Sequence, residues 1–154
     1  MGSPVKTGGA NPSNGEPESP GVPGIIDAMD DARGELLLQV RSQALSLPEV
    51  SETTLYDGFC RHWTPAYYVG ETQLFHVHNF RAGLRATIFL GGKRGSEKLG
   101  PMILGSDRIP QKLRLQVVKA AESRGTKQIK VKLNSMDDVA VLLELAKLKH
   151  QSIK

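Results

Sequence analysis

The sequence lacks the features that identify several common classes of protein. Only one cysteine, Cys60, is present among 154 residues, so no disulfide can form within the chain. No apolar run approaches the roughly 18 residues that a membrane-spanning helix needs. The N-terminus shows no basic leader followed by an apolar stretch. From these absences we expect a cytoplasmic protein with a reduced, half-buried thiol and no membrane partner.

Motifs of several enzyme classes are also missing. The chain has no Gly-x-Ser-x-Gly elbow, and its glycine-rich stretch at 91–100 does not have the spacing of a Walker phosphate loop. Asp57 and Glu71 are the only acidic residues between positions 57 and 90, which argues against hydrolysis by paired carboxylates. Cys60 and His62 would share one face of a strand, so a thiol–imidazole pair is conceivable. We assign no catalytic residue and expect a binding protein rather than an enzyme.

The charge is distributed unevenly along the chain. Residues 1–56 carry three basic and eight acidic side chains, a net charge of −5, whereas residues 57–154 carry 17 basic and eight acidic ones, a net charge of +9. Such a basic region fits an acidic partner, including nucleic acid or a small anionic molecule. A lysine-rich surface that only water covers is the commoner reason for such a split.

The N-terminal segment differs in composition from the rest. Eleven of the residues 1–24 are glycine or proline, and none is aromatic. Such a segment buries too little apolar surface to offset the entropy lost on ordering. The sequence therefore predicts a disordered tail over 1–24 and a single domain over 25–154.

The first half of this domain shows one helical pattern and then several strand-like runs. Apolar residues at helical spacing predict a helix that ends before Pro48, followed by a short capped turn at 51–55. Runs rich in aromatic and β-branched residues then occupy 58–70, 71–79 and 83–91. Their short polar connections predict an antiparallel meander. Because Pro65 lacks an amide donor, we expect the first of these strands at an edge or with a bulge there.

The second half alternates helical and extended patterns. A glycine-rich connection at 91–108 precedes a helix that begins at Pro110, a strand at 128–133 and a helix capped by Ser135. The whole order, α-β-β-β-(α)-α-β-α, predicts an α+β fold. We expect an antiparallel sheet of about four to five strands with helices packed on it.

The stretch from Leu36 to Lys149 resembles a group of small bacterial domains of unknown function, the YdhG-like domains and their relatives. The resemblance depends on the strand Trp63-Thr64-Pro65-Ala66-Tyr67-Tyr68, the strand LFHV at 74–77, the run from Gly83 to Leu90 and the late helix that starts at Ile109-Pro110. It implies the same α+β fold, and it implies no particular chemistry.

Two histidines in FHVHN, at 75–79, form the first candidate site. His76 and His78 are two residues apart, so on a strand both point to one face and could ligate one metal ion. A metal site needs three or four ligands, and His62 on the preceding strand is the candidate third. The alternative is a sheet face on which the imidazoles bond to neighbours or water. We expect no resident cofactor, with a divalent metal ion at these three histidines as the rival hypothesis.

Aromatic rings beside arginines form the second candidate site. Such a set on a sheet can stack a planar ligand and hold an anionic group. It is also the usual composition of a core face bordered by a solvated face. The candidate ligand-binding residues are Tyr67, Tyr68, His76, His78, Arg81 and Arg85. The leading hypothesis is a domain that binds a small anionic ligand or an acidic protein partner, with the glycine-rich stretch as a mobile lid. A nucleic-acid-associated basic domain is a further alternative, and the oligomeric state is left open.

Overall fold

A computed structural model of the protein describes residues 19–153. These residues form five helices and five strands. In chain order the elements are α1 (Val22–Asp27), α2 (Asp31–Leu45), β1 (Val50–Asp57), β2 (His62–Val69), β3 (Thr72–Phe80), β4 (Gly83–Phe89), α3 (Lys93–Leu104), α4 (Gln111–Glu122), β5 (Gln128–Leu133) and α5 (Met136–Ser152). Among these residues no helix is both long and apolar enough to cross a membrane.

The strands form one antiparallel sheet in the order β1-β2-β3-β4-β5. The first four strands make a meander, and the chain returns to the free side of β4 only after α3 and α4. The predicted α+β class, with five antiparallel strands and helices packed on them, is confirmed. The order differs from the prediction by two additional elements, the short helix α1 at the start and the strand β1.

The core lies on one face of the sheet. Alternate residues of β4 and β5 are almost fully buried and belong to one cluster with residues of α2, α3, α4 and α5. On the strands this cluster includes Tyr67, Phe75, Val77, Leu84, Ala86, Ile88, Ile129, Val131 and Leu133. Because side chains alternate along a strand, the residues between these point away from the helices. We call that opposite side of the sheet the outer face.

Strand β1 occupies the region for which a short turn was predicted, so that prediction is wrong. Its residues alternate between exposed and half-buried, as in an edge strand. Glu52 sits at an inward position, where its carboxylate accepts hydrogen bonds from Arg41 and Tyr67. A charged residue at an inward position hides the usual alternation of apolar and polar residues. Because β1 is the edge, Pro65 lies in an inner strand. The register of β2 with β3 shifts between Tyr67 and Tyr68 instead, where β3 has one extra residue, Leu74.

The glycine-rich stretch begins a helix, and the predicted mobile lid is wrong for residues 93–104. Leu99 and Ile103 lie one turn apart in α3 and are buried in the core. Glycines permit the sharp entry into this helix. Gly91 has a φ of +93°, and a Cβ on Gly95 would lie 3.1 Å from the carbonyl oxygen of Leu90. Glycine is therefore needed for close approach here rather than for mobility.

The ordered domain begins earlier than predicted. Helix α1 starts at Val22, whose side chain is buried, within the stretch 1–24 that was predicted to be a disordered tail. Ser19 bonds through its hydroxyl to that of Thr54 on β1, at 2.9 Å. The rest of the predicted tail, residues 1–18, lies outside the described residues.

Candidate metal centre

The outer face gathers polar side chains from neighbouring strands. Strand alternation places His76 and His78 of β3 on this face together, and the register pairs His78 with Arg85 of β4. On the same face, towards the β1 edge of the sheet, Asp57 of β1 pairs with His62 at the start of β2. Aromatic contacts link the imidazoles, with ring centroids of His62 and His78 5.4 Å apart and those of His76 and His78 5.0 Å apart.

Three of the groups on this side can act together as metal ligands. Cys60 lies in the loop that joins β1 to β2, and His62 is the first residue of β2. Both lie close to His78 of β3, the strand that pairs with β2. One ligand atom from each of Cys60, His62 and His78 lies within 4.8 Å of the other two. Cysteine sulfur and histidine nitrogen are common ligands of Zn²⁺ and related ions.

Asp57 fixes the geometry of this cluster. Its Oδ1 accepts hydrogen bonds from the backbone amides of Phe59 and Cys60, at 3.0 and 3.1 Å. Its Oδ2 lies 2.8 Å from Nε2 of His78. The amide of Cys60 and the imidazole of His78 hold the pKa of this carboxyl well below its usual range. Asp57 is therefore a carboxylate that shapes the loop and orients one candidate ligand at the same time.

Two imidazole nitrogens of the cluster have no hydrogen-bond partner in the described part of the chain and are free to bind a metal ion. Nε2 of His62 and Nδ1 of His78 are buried, and neither has a hydrogen-bond partner among residues 19–153. Burial, and then the neighbouring His78, lowers the pKa of His62 and favours its neutral form. A neutral imidazole with a free nitrogen is the form that ligates metals. Leaving such atoms buried and unpaired costs free energy, and a bound cation would recover it.

The thiol of Cys60 is held in its protonated form in the absence of a cation. Loss of hydration raises its pKa, and a hydrogen bond to Asp57 raises it further. A thiol must lose its proton to ligate a metal, so metal binding at this centre would release a proton.

His76, which the sequence grouped with the metal ligands, lies outside the group of three close ligand atoms and bonds to Gln73. The side-chain amide of Gln73 donates through Nε2 to the hydroxyl of Tyr68, at 3.1 Å. Its Oε1 therefore accepts from Nδ1 of His76, at 2.7 Å. Burial, and then the neighbouring His78, lowers the pKa of His76 to about 4. His76 is thus a neutral neighbour of the cluster formed by Cys60, His62 and His78, and Cys60 takes its place in that cluster.

The six predicted ligand-binding residues do not all share one surface. Tyr68, His76, His78 and Arg85 lie on the outer face. Tyr67 lies on the core face, fully buried, and its hydroxyl donates to Glu52 at 2.8 Å, so its assignment to a ligand-binding surface is wrong. Adjacent residues of a strand point in opposite directions, which separates Tyr67 from Tyr68.

Arg81 is also set apart from the other candidates. It lies in the exposed turn between β3 and β4, where its carbonyl oxygen accepts a hydrogen bond from Arg33 of α2, at 2.9 Å. Arg85, by contrast, lies over the ring of Phe80, with its Cζ 4.5 Å from the ring centroid. That ring stacks on His78 at 4.9 Å with an interplanar angle of 10°.

A small cavity of about 400 Å³ borders the cluster on the outer face. Its lining combines polar groups with a few apolar ones. The lining residues are Leu55, Tyr56, Asp57, Gly58, Thr64, Gln73, His76, His78 and Phe89. His78 belongs to both the cavity and the cluster, and Asp57, which bonds to His78, also lines the cavity, so a small molecule there would lie beside a candidate ligand.

Comparison of the chain with family models, with curated proteins and with solved structures gives no match. The outer face is therefore interpreted from its own geometry. Sequence reasoning found two members of the cluster, His62 and His78, and treated Cys60 only as a partner of His62. The signal that could have added Cys60 is the run Asp57-x-x-Cys60-x-His62, in which an acidic residue at the strand end can turn the following loop back.

Proposed function

We propose that the protein binds a transition-metal ion of the Zn²⁺ class through Cys60, His62 and His78. The observation that carries this proposal is the mutual approach of three ligand atoms to within 4.8 Å. In a tetrahedral zinc site, ligands at bond lengths of about 2.0 to 2.3 Å are separated by roughly 3.3 to 3.7 Å. Side-chain rotations that move the ligand atoms by about 1 Å would therefore bring them to metal-binding distances without a change in the strands.

The kind of metal follows from the ligand types. One thiolate and two imidazoles favour Zn²⁺, Co²⁺ or copper, whereas Mg²⁺ and Ca²⁺ prefer sites made of oxygen atoms. A reducing compartment such as the cytoplasm would keep Cys60 as a free thiol, which can lose its proton when a metal ion binds.

Asp57 supplies the fourth interaction in one of two ways. Its Oδ2 already bonds to His78, and a carboxylate bound to a ligating histidine orients the ring and raises its basicity. Alternatively, the same carboxylate oxygen could ligate the ion directly. In the first arrangement three protein ligands leave a coordination position open to solvent or to a small molecule, as in catalytic zinc sites.

The test is a titration of metal-free protein with Co²⁺, followed by absorption spectroscopy and calorimetry. We expect one ion per chain and a thiolate-to-cobalt charge-transfer band that Cys60→Ser abolishes. His62→Ala and His78→Ala should weaken binding by about 100-fold or more, since each removes a ligand. His76→Ala is the matched control on the same strand, and it should change the affinity by less than about threefold.

Two results would count against the proposal. One is a cobalt complex that lacks the thiolate band, because it would place the ion elsewhere. The other is equal affinity in wild type and in His62→Ala. Circular dichroism of every variant separates loss of a ligand from loss of the fold.

The anion-binding hypothesis also stays a proposal, supported by Arg85, Tyr68 and the two histidines on the outer face. Kinship with the YdhG-like domains is proposed on the sequence motifs alone. Association with nucleic acid or an acidic protein is supported only by the excess of basic residues after position 57.

A further inference from the structure

We infer that the metal at this centre holds a small oxyanion as its exchangeable ligand and that Arg85 binds the anion at its other end. This inference depends on the proposed metal site. It assigns the centre a ligand class, carboxylate or phosphate, and it gives Arg85 the role of a binding residue.

Arg85 has an unused donor in a buried position. Its Nε is buried and has no hydrogen-bond partner within residues 19–153. Among these residues the guanidinium also forms no ion pair, whereas Arg33, Arg41 and Arg108 each do. An unpaired buried donor of a charged group is costly, so such a group in a native fold calls for an acceptor. A planar guanidinium is well shaped for a carboxylate or a phosphate.

The position of Arg85 relative to the ligands is fixed by stacking. Its Cζ lies 4.5 Å from the ring centroid of Phe80, and that ring stacks on His78 at 4.9 Å. The β3–β4 register places Arg85 directly opposite His78. The guanidinium therefore lies on the same face of the sheet as the candidate ligands and is held there by an aromatic ring.

Charge balance favours an anion over a neutral ligand. With a divalent cation bound, the thiolate of Cys60 and the carboxylate of Asp57 neutralise the ion. The charge of Arg85 then has no counterpart in the cluster. The oxygens of Asp57 are already used by two amides and by His78, so this carboxylate is not free to pair with the guanidinium. One negative charge from an exogenous oxyanion would complete the set.

The experiment uses the full chain loaded with Co²⁺, with acetate and inorganic phosphate as separate probes. Each is titrated while the visible spectrum of the bound cobalt is recorded. We expect the spectrum to change with either probe or both, and the stronger response identifies the oxyanion class. Arg85→Gln should weaken this binding by about tenfold or more, because it removes a charge-assisted hydrogen bond. Chelated, metal-free protein should bind neither probe.

Arg81→Gln is the matched control, since it removes the same charge four residues earlier in the exposed turn. It should leave the anion affinity within about twofold of wild type. Failure of the chain to take up Co²⁺ would overturn the proposed metal function and this inference with it. Normal uptake with equal anion affinity in wild type and Arg85→Gln, or anion binding that does not need the metal, would overturn the inference alone.

Discussion

Asp57 and His78 lie on strands that are not neighbours, yet Oδ2 of Asp57 is 2.8 Å from Nε2 of His78. The contact passes over β2 on the outer face and connects the edge strand to the centre of the sheet. The other oxygen of Asp57 bonds to the loop that carries Cys60. One carboxylate therefore sets the distance between a thiol and an imidazole from two different strands.

Asp57→Asn should weaken metal binding. The amide oxygen of asparagine can still accept from the backbone of the loop, so we expect the loop to keep its shape. The negative charge beside His78 is lost, and the affinity for Zn²⁺ should fall by about 10- to 100-fold, as measured by competition with a chelator. Asp107→Asn, in the exposed connection between α3 and α4, is the matched control. Unchanged affinity in Asp57→Asn would show that the carboxylate does not act on the metal site.

Tyr67→Phe should reduce stability without affecting ligand binding. The hydroxyl of Tyr67 donates to a Glu52 carboxylate that also accepts from Arg41, and the residue is fully buried. Its loss should lower the free energy of unfolding by about 1.5 to 3 kcal/mol, the range for a hydrogen bond to a charged group. Urea denaturation measures this change.

Tyr68→Phe provides the comparison for Tyr67→Phe, because the neighbouring ring lies on the outer face and is half-buried. We expect it to cost less than about 1 kcal/mol. The structural role of Tyr67 would be refuted by equal losses in the two variants, or by weaker metal or anion binding in Tyr67→Phe.

Lys149 should make stability depend on pH in the alkaline range. Burial lowers its pKa from 10.5 to about 8, and its Nζ donates to the carbonyl oxygen of Phe89 at 2.6 Å. Between these pKa values the unfolded chain holds a proton that the folded chain releases, so the free energy of unfolding rises with pH. Relative to Lys149→Met, wild type should gain on the order of 3 kcal/mol between pH 8 and 10.5.

Chemical denaturation at a series of pH values tests this behaviour of Lys149. Lys147→Met is the control, since that side chain is exposed on the same helix. The difference between wild type and Lys147→Met should stay flat over the same range. A flat difference for Lys149→Met as well would mean that Lys149 titrates normally.

The free edge of β5 is capped by a side chain of α4, and its removal should promote association. Gln116 donates through Nε2 to the carbonyl oxygen of Lys130 and accepts from its amide, at 3.1 and 2.9 Å. Gln116→Ala would expose both backbone groups at a sheet edge, where another chain can pair with them. We expect a loss of about 1 kcal/mol in stability and dimers that form with rising concentration in sedimentation experiments. Gln111→Ala is the matched control, because it changes the same residue type in the same helix without touching the edge of β5, and it should behave as wild type. If neither variant forms dimers, the prediction is wrong.

Most of the fold could be predicted because β5 alternates cleanly, because Leu84, Ala86 and Ile88 recur at every second position of β4, and because Pro48 and Ser135 mark helix ends. Strand β1 was missed because Glu52 carries a charge on its inward side, which only the contacts with Arg41 and Tyr67 explain. Such tertiary contacts are not visible in a window of local sequence. Helix α3 was predicted only as an optional helix within a glycine-rich connection, because its glycines are typical of a loop.

The candidate site was predictable only where strand periodicity governs it. His78 and Arg85 follow from alternation and register, whereas Cys60 depends on the conformation of a four-residue loop. In that loop Arg61 adopts a φ of +57°, an uncommon conformation for a residue with a side chain. The error over Tyr67 was avoidable, since two adjacent strand residues cannot present their side chains to one face.

The position of α5 in the chain affects how the protein emerges from the ribosome. This helix covers β3 and β5 and packs on α2, and His150 near its end bonds to the carbonyl oxygen of Pro48. At about 5 to 20 residues per second, the roughly 60 residues from the end of β4 to the end of α5 take about 3 to 12 seconds to synthesise. During that interval α3, α4 and α5 are not yet complete, so much of the apolar side of the nascent meander stays uncovered.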